Sequence, residues 1–86
     1  MHMSQIEKLI NRLLSKPKDF TYDELKQILN YLGFYEDNKG KTSGSKVLFA
    51  SFDGRKILLH KPHSGNIIKE YKLKDIILQL VDWGLI

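Results

Sequence analysis

The first apolar residues of the chain recur at three- and four-residue spacing, which is typical of an amphipathic helix. They predict a helix from about Ser4 to about Ser15. Pro17 ends it, because proline disfavours helical geometry in the residue before it. The apolar stripe consists of Ile6, Leu9, Ile10, Leu13 and Leu14.

A second helix has the clearest start signal in the sequence. Thr21 and Glu24 have the spacing of a capping box, in which each residue satisfies a backbone N–H near the other. Gly33 can adopt the left-handed conformation that commonly ends a helix. The sequence therefore predicts a helix over residues 22–32.

Three strands are predicted in the middle of the chain. Residues 34–37 form a short one, and the apolar, β-prone runs 47–52 and 55–60 flank Asp53-Gly54. An Asp-Gly pair between two such runs is a strong signal for a two-residue hairpin turn.

A two-residue turn fixes the pairing of the hairpin strands and therefore the face of each side chain. One face then holds Leu48, Ala50, Ile57 and Leu59. Because this face is the more uniformly apolar of the two, we assign it to the core. The mixed face holds Val47, Phe49, Ser51, Lys56, Leu58 and His60, and the same register places Lys46 opposite Lys61. The N-terminal helix either shields Phe49 and Leu58 on the mixed face or leaves them exposed as a partner interface.

A last amphipathic helix follows the hairpin and ends near Gly84. Its apolar stripe consists of Leu73, Ile76, Ile77, Leu80 and Val81. With 86 residues, the chain is expected to form a single domain over 1–86. Three antiparallel strands covered by helices on one face predict a two-layer α+β domain in the order α-α-β-β-β-α.

The composition favours an anionic partner. Lys and Arg number 14 against 10 Asp and Glu, a formal net charge of +4, and nucleic acid is the commonest partner of such a surface. The alternative is a solvated basic surface without a ligand. The chain has no Cys, which fits a reducing compartment. No apolar run approaches the ~20 residues of a membrane span, and no segment resembles a signal peptide, so we expect a cytoplasmic protein.

Lysine and histidine side chains gather at the open end of the predicted hairpin. Cleavage of RNA without a metal needs proton transfer at the 2′-hydroxyl and the leaving oxygen, and cations on the phosphate. Histidine suits the first task and lysine the second. The alternative is a solvated strand end, where lysines aid solubility and protect the edge. The residues gathered here are Lys39, Lys41, Lys46, His60, Lys61 and His63.

A metal or another cofactor is not expected. His60 and His63 are the only close pair of histidines, and the sequence offers no third ligand beside them.

Several short motifs resemble the HicA (YcfA-like) toxins of HicAB toxin–antitoxin systems. The resemblance covers a core of about 20–86 and leaves the helix at about 4–15 outside it. It implies a double-stranded-RNA-binding-like fold, metal-independent mRNA cleavage, and an antitoxin that covers the active site. The motifs are Phe20-Thr21-Tyr22-Asp23-Glu24-Leu25, Leu32-Gly33-Phe34, Gly44-Ser45 before a strand ending in Phe49, and Pro62-His63 before the last helix.

The sequence departs from this family where the resemblance places the catalytic histidine. That histidine follows the Gly-Ser pair, and here the residue is Lys46. A protonated lysine binds phosphate but is a poor general base. Catalysis is therefore lost while RNA or antitoxin binding is kept, or His60 or His63 has taken over proton transfer, or the neighbours of Lys46 make it easier to deprotonate.

The resulting hypothesis is a HicA-like RNA-binding protein that acts as an mRNA endoribonuclease. The alternative is a catalytically inactive module of the same fold that binds RNA or protein. The expected partners are RNA and a HicB-like antitoxin. The candidate catalytic residues are Lys46, His60 and His63, and the candidate RNA-binding residues are Lys39, Lys41, Ser45, Lys46 and Lys61.

Overall fold

A computed structural model describes residues 4–37, 46–60 and 66–86, and these residues form three helices and three strands. The strands form one antiparallel sheet in the order β1-β2-β3. This arrangement confirms the predicted α+β, double-stranded-RNA-binding-like fold. The elements are α1 (Gln5–Leu14), α2 (Tyr22–Tyr31), β1 (Phe34–Glu36), β2 (Lys46–Ser51), β3 (Lys56–His60) and α3 (Glu70–Asp82).

The helix α2 begins and ends as its sequence predicts. The Thr21 N–H donates to Glu24 Oε1 at 3.0 Å, and the Glu24 N–H donates to Thr21 Oγ1 at 3.1 Å, which confirms the capping box. Gly33 has a φ of +97°, in the left-handed region that glycine adopts most readily. Local signals therefore define both ends of the helix.

The helix α1 belongs to the helical layer. It contacts α2 and α3, and its residue Leu13 is fully buried in the core. Arg12 Nε donates to Glu24 Oε2 at 2.9 Å, which ties α1 to the start of α2. The alternative in which α1 shields Leu58 is therefore wrong, and Leu58 is 47% exposed.

The core lies between the helices and one face of the sheet. The rings of Tyr22 and Phe49 have centroids 6.2 Å apart, and Phe34 stacks on Trp83 at 5.8 Å. In α3 the predicted apolar stripe is buried except for Val81, which is 51% exposed. The core residues are Leu13, Phe20, Tyr22, Leu25, Ile28, Leu29, Phe34, Phe49, Ile57, Leu59, Ile68, Leu73, Ile76, Ile77 and Leu80.

The hairpin turn contains three residues rather than the predicted two. The Ser51 N–H donates to the Arg55 carbonyl at 2.9 Å, and the Gly54 N–H donates to the Ser51 carbonyl at 3.1 Å. A two-residue type I′ turn needs a positive φ at both central residues, Asp53 included. In the observed turn only Gly54 has one, at +91°. The Ser51 hydroxyl stabilises this geometry by accepting from the Arg55 N–H at 3.0 Å.

The additional turn residue shifts the register of the hairpin by one position. Phe49 therefore lies opposite Ile57, and Val47 lies opposite Leu59. The assignment of Ile57 and Leu59 to the core face was correct. The assignment of Leu48 and Ala50 to that face was wrong, because a one-residue slip moves every side chain of one strand to the other face. Ala50 is nevertheless buried, with an exposed fraction of 5%. Phe49 takes the place of Leu48 in the core, where it is fully buried.

Candidate functional site

The open end of the hairpin brings together two of the predicted site residues. Lys46 begins β2 and His60 ends β3, and the two lie directly opposite each other. Because side chains alternate along a strand and Phe49 and Leu59 face the core, Lys46 and His60 lie on the other face. Both are exposed. Residues opposite each other in an antiparallel pair have Cβ atoms about 4.5–5.5 Å apart, so one ligand group can contact both.

This pairing corrects the predicted one. The sequence placed Lys46 opposite Lys61 and His60 opposite Val47, and both assignments were wrong because the turn is one residue longer. The observed register places an imidazole, rather than a second ammonium group, across from Lys46. A histidine and a lysine therefore lie across from each other at this end of the hairpin.

The remaining predicted site residues lie outside the described part of the chain. Their roles therefore stay predictions from the sequence, and the site built from the structure rests on Lys46 and His60. The residues concerned are Lys39, Lys41, Ser45, Lys61 and His63.

The sheet has a second face that the helices do not cover, which we call the outer face. It extends from Lys46 and His60 toward the hairpin turn. Leu48 and Leu58 form its next cross-strand pair, and Ala50 lies between Tyr35 and Lys56 in the row after that. The outer face is defined by Tyr35, Lys46, Leu48, Ala50, Lys56, Leu58 and His60, together with Phe52 at the turn.

The sequence analysis did not single out Tyr35, Phe52 and Lys56, which the structure brings to the outer face. Phe52 is 92% exposed, and its ring centroid lies 5.4 Å from that of Tyr35. The sequence did contain a signal for them. The alternation of side chains along the strands that places Phe49 in the core also places these three residues on the opposite face. The two-residue turn assignment hid that signal.

A second polar cluster, on the helix side of β1, holds the sheet against α2. Tyr22 Oη donates to Glu36 Oε1 at 2.8 Å, and Lys26 Nζ lies 3.2 Å from the same oxygen. Burial of Tyr22, followed by its hydrogen bond to the Glu36 carboxylate, raises the pKa of Tyr22 well above its usual range. The phenol therefore stays protonated, and its role here is structural.

The contact between α1 and α2 contains a third polar cluster. Arg12 donates to Glu24 and, through Nη2, to Asp19 Oδ1 at 3.0 Å. Burial alone would raise the pKa of Glu24, but hydrogen bonds from Arg12 and Thr21 outweigh burial and hold that pKa below its ordinary value. The hydrogen bonds to Glu24 and then Asp19 raise the pKa of Arg12. These shifts belong to the helix junction and not to a reactive site.

A groove of about 260 Å³ lies at the hairpin turn, far from Lys46 and His60. The five steps of β2 from Lys46 to Ser51 span about 17 Å. Within the groove lining, Arg55 pairs with Asp53 at 3.2 Å and its guanidinium lies over Trp83 at 5.6 Å. The groove is lined by Leu32, Gly33, Ser51, Phe52, Asp53, Arg55 and Leu85.

The open end of the hairpin presents an imidazole and an amino group to a common ligand. Imidazole exchanges protons near neutral pH, and an ammonium group binds phosphate as a compact point charge. In the described ranges, no three His, Cys, Asp or Glu side chains are grouped so that they could hold a metal ion. None of the helices described is both long enough and apolar enough to cross a membrane.

The fold and site together define a small α+β protein with helices on one side of the sheet and an exposed Lys–His pair on the other. Residues 22–81, more than half of the chain, match the family model for the HicA toxin of bacterial toxin–antitoxin systems. The chain belongs to this family. Comparisons with curated proteins and with solved structures returned no match.

Family membership gives two further facts about the chain. The matched residues run from the first turn of α2 into the last turn of α3, so α1 lies outside the family region. A toxin of a toxin–antitoxin system has an antitoxin partner, and membership implies such a partner here.

Proposed function

We propose that this chain is an RNA-binding toxin that cleaves mRNA in the cytoplasm without a metal and is neutralised by a HicB-like antitoxin. The observation that carries the proposal is the cross-strand pair of Lys46 and His60 on the exposed face of the sheet. Lys46 occupies the position at which the family resemblance predicts a histidine. His60 lies directly opposite and supplies the imidazole that this position lacks.

The two side chains have different roles in the proposed reaction. Lys46 binds the scissile phosphate and offsets the charge that develops on its oxygens. Neutral His60 accepts the proton of the ribose 2′-hydroxyl, and the 2′ oxygen bonds to phosphorus as the bond to the 5′ oxygen breaks. The leaving oxygen takes a proton from water, and His60 later returns its proton to solvent.

The basic residues around this pair complete the proposed RNA site. The net charge of +4 favours association with a polyanion. We assign the phosphate contacts beyond Lys46 to residues that the sequence places near the open end of the hairpin. They are Lys39, Lys41, Ser45, Lys61 and His63.

The experiment that tests this function is incubation of the purified protein with RNA in the presence of a chelator. The wild type should cleave, and His60→Asn should lower the rate by about 10²- to 10⁴-fold, which is the usual contribution of a general acid or base. Lys46→Gln should lower it by about 10²- to 10³-fold. Lys74→Gln, a change at an exposed lysine of α3, serves as the charge-matched control and should cleave at the wild-type rate. Cleavage that survives both site substitutions would remove this pair from the mechanism.

The presence of lysine at position 46 favours a second candidate function. Because Lys46 stands where the family resemblance predicts the catalytic histidine, binding of RNA without cleavage is the alternative. The same incubation separates the two, since RNA would then emerge intact while still binding with strong salt dependence.

The antitoxin part of the proposal has its own test. Expression of the chain in a bacterial host should arrest growth, and co-expression of a HicB-like protein encoded beside it should restore growth. Growth that is unaffected by the chain alone would contradict a toxic activity in that host.

A further inference from the structure

We propose that the outer face binds RNA as a single strand, with bases stacked on Tyr35 and Phe52 and the backbone leading to Lys46 and His60. This inference rests on the proposed function and specifies the form of RNA that the site takes.

The first observation is the pair of exposed rings. Phe52 is 92% exposed and Tyr35 is 43% exposed, and their centroids lie 5.4 Å apart at an interplanar angle of 42°. Core packing does not account for a phenylalanine that is almost completely exposed. Exposed aromatic rings beside cations are the usual platform for unpaired bases, because every base has a face that can stack.

The second observation is the position of these rings relative to the Lys–His pair. Tyr35 shares a cross-strand row with Ala50 and Lys56, and Lys46 lies four residues before Ala50 on β2. Four residues of strand span about 13 Å. A four-stranded sheet in another RNA-binding fold stacks two or three bases on its aromatic residues, and a short segment of RNA can likewise reach from the rings to Lys46.

The third observation is the distribution of charge. Lys56 lies beside the aromatic end of the outer face, and Lys46 and His60 lie at its other end. The pair of Leu48 and Leu58 separates them. Cations at both ends of the face can contact the phosphates of one strand along its length, while its bases stack on the rings of Tyr35 and Phe52. Asp37 follows β1 at the edge of this face, where its N–H donates to the Leu48 carbonyl at 2.7 Å.

These features favour a single strand over a duplex. Bases in an RNA duplex are stacked on each other, and its grooves present edges and 2′-hydroxyls, so they cannot cover the rings of Tyr35 and Phe52. A protein partner would bury the apolar area of this face and would not need the flat faces of the aromatic rings for stacking. Replacement of an aromatic ring by leucine therefore distinguishes the two kinds of partner.

The test uses labelled 2′-O-methyl RNA, which cannot be cleaved through its 2′ oxygen, so binding is measured whether or not the protein is a nuclease. Phe52→Leu and Tyr35→Leu should each weaken binding of the single strand by about 5- to 150-fold, the range for loss of one base stack. Tyr71→Leu is the matched control, because Tyr71 is 68% exposed on α3, and it should bind as the wild type does. Lys56→Gln should reduce the slope of log affinity against log salt by about 0.7. A duplex of the same sequence should bind more weakly and should not respond to Phe52→Leu.

Other outcomes would overturn the inference in distinguishable ways. If both leucine variants bind like the wild type while Lys46→Gln binds poorly, RNA reaches Lys46 without stacking on Tyr35 and Phe52, so the inference fails and the proposed function still stands. If Phe52→Leu leaves RNA binding intact but disrupts a dimer or an antitoxin complex, the outer face is a protein interface. If the wild type neither binds nor cleaves any RNA, the proposed function fails together with the inference.

Discussion

The structure predicts very different costs for truncating two residues of the hairpin, Phe49 and Leu58. Phe49 is fully buried, so Phe49→Ala should lower the free energy of unfolding by about 3–5 kcal/mol, through lost burial and the cavity left behind. Full burial of a leucine contributes about 1.5–3 kcal/mol, and Leu58 is already 47% exposed. Leu58→Ala should therefore lower it by only about 1 kcal/mol.

Urea denaturation measures this difference. Trp83 is the single tryptophan of the chain, and it stacks on Phe34 at the edge of the core, so its fluorescence reports unfolding. A domain of 86 residues has a total stability of about 4–13 kcal/mol, and Phe49→Ala removes a large part of that. If that variant does not fold, Phe49→Leu keeps the test open, with a smaller loss on the order of 1 kcal/mol.

The comparison tests the register of the hairpin as well as its stability. With a two-residue turn, Phe49 and Leu58 would face each other on one side of the sheet and their truncation would have similar costs. A loss at Leu58 as large as that at Phe49 would therefore refute the three-residue turn. It would also refute the pairing of Lys46 with His60, which depends on the same register.

Three further perturbations test the packing around α2. Thr21→Ala should lower the free energy of unfolding by about 1 kcal/mol in thermal denaturation, because the cap is lost, and an unchanged midpoint would contradict that role. The pKa of Glu24 lies below its ordinary value of 4.5 in the folded state. Its contribution to stability is therefore complete above about pH 4.5 and is lost as the pH falls through the folded-state pKa. Glu24→Gln should flatten this acid dependence in denaturation measured across that range, and an equally steep loss would show that another carboxylate causes it. Tyr22→Phe should cost about 1.5 kcal/mol in urea denaturation, since the phenol donates to the charged carboxylate of Glu36. A variant as stable as the wild type would contradict that bond.

The helices could be predicted from the sequence because their signals are local. A capping box needs only Thr21 and Glu24, and an apolar stripe needs only residues three and four apart. The bounds of α1 and α2 accordingly lie within about one residue of the prediction. The apolar stripe of α3 was extended too far, since Val81 continues the apolar pattern yet remains exposed.

The hairpin register could not be predicted as reliably, because it depends on a competition between two turns. Asp53-Gly54 suits a two-residue turn, but that turn requires a positive φ at Asp53. The longer turn avoids this requirement, gains the hydrogen bonds of Ser51, and buries Phe49 in place of Leu48. Packing against Tyr22, which lies 27 positions before Phe49, contributes to the choice and is invisible to a local pattern.

The candidate site could be predicted only in part, because its geometry depends on the same hairpin register. Lys46 and His60 were identified by residue type and by their position at the open end of the hairpin. Their direct opposition was not predicted, because a shift of one residue decides whether Lys46 faces a histidine or a lysine. The rings of Tyr35 and Phe52 were missed because the predicted register placed the other side of β2 against the core.

The most direct test of the central claim is a double-mutant cycle on RNA cleavage with Lys46→Gln and His60→Asn. Residues that act on one reacting phosphate are strongly non-additive, because removal of either already disables the shared step. The cleavage rate of the double variant, measured with a chelator present, should therefore be close to that of the slower single variant. Rates that fall by the product of the two single effects, or that do not fall at all, would contradict a common site for Lys46 and His60.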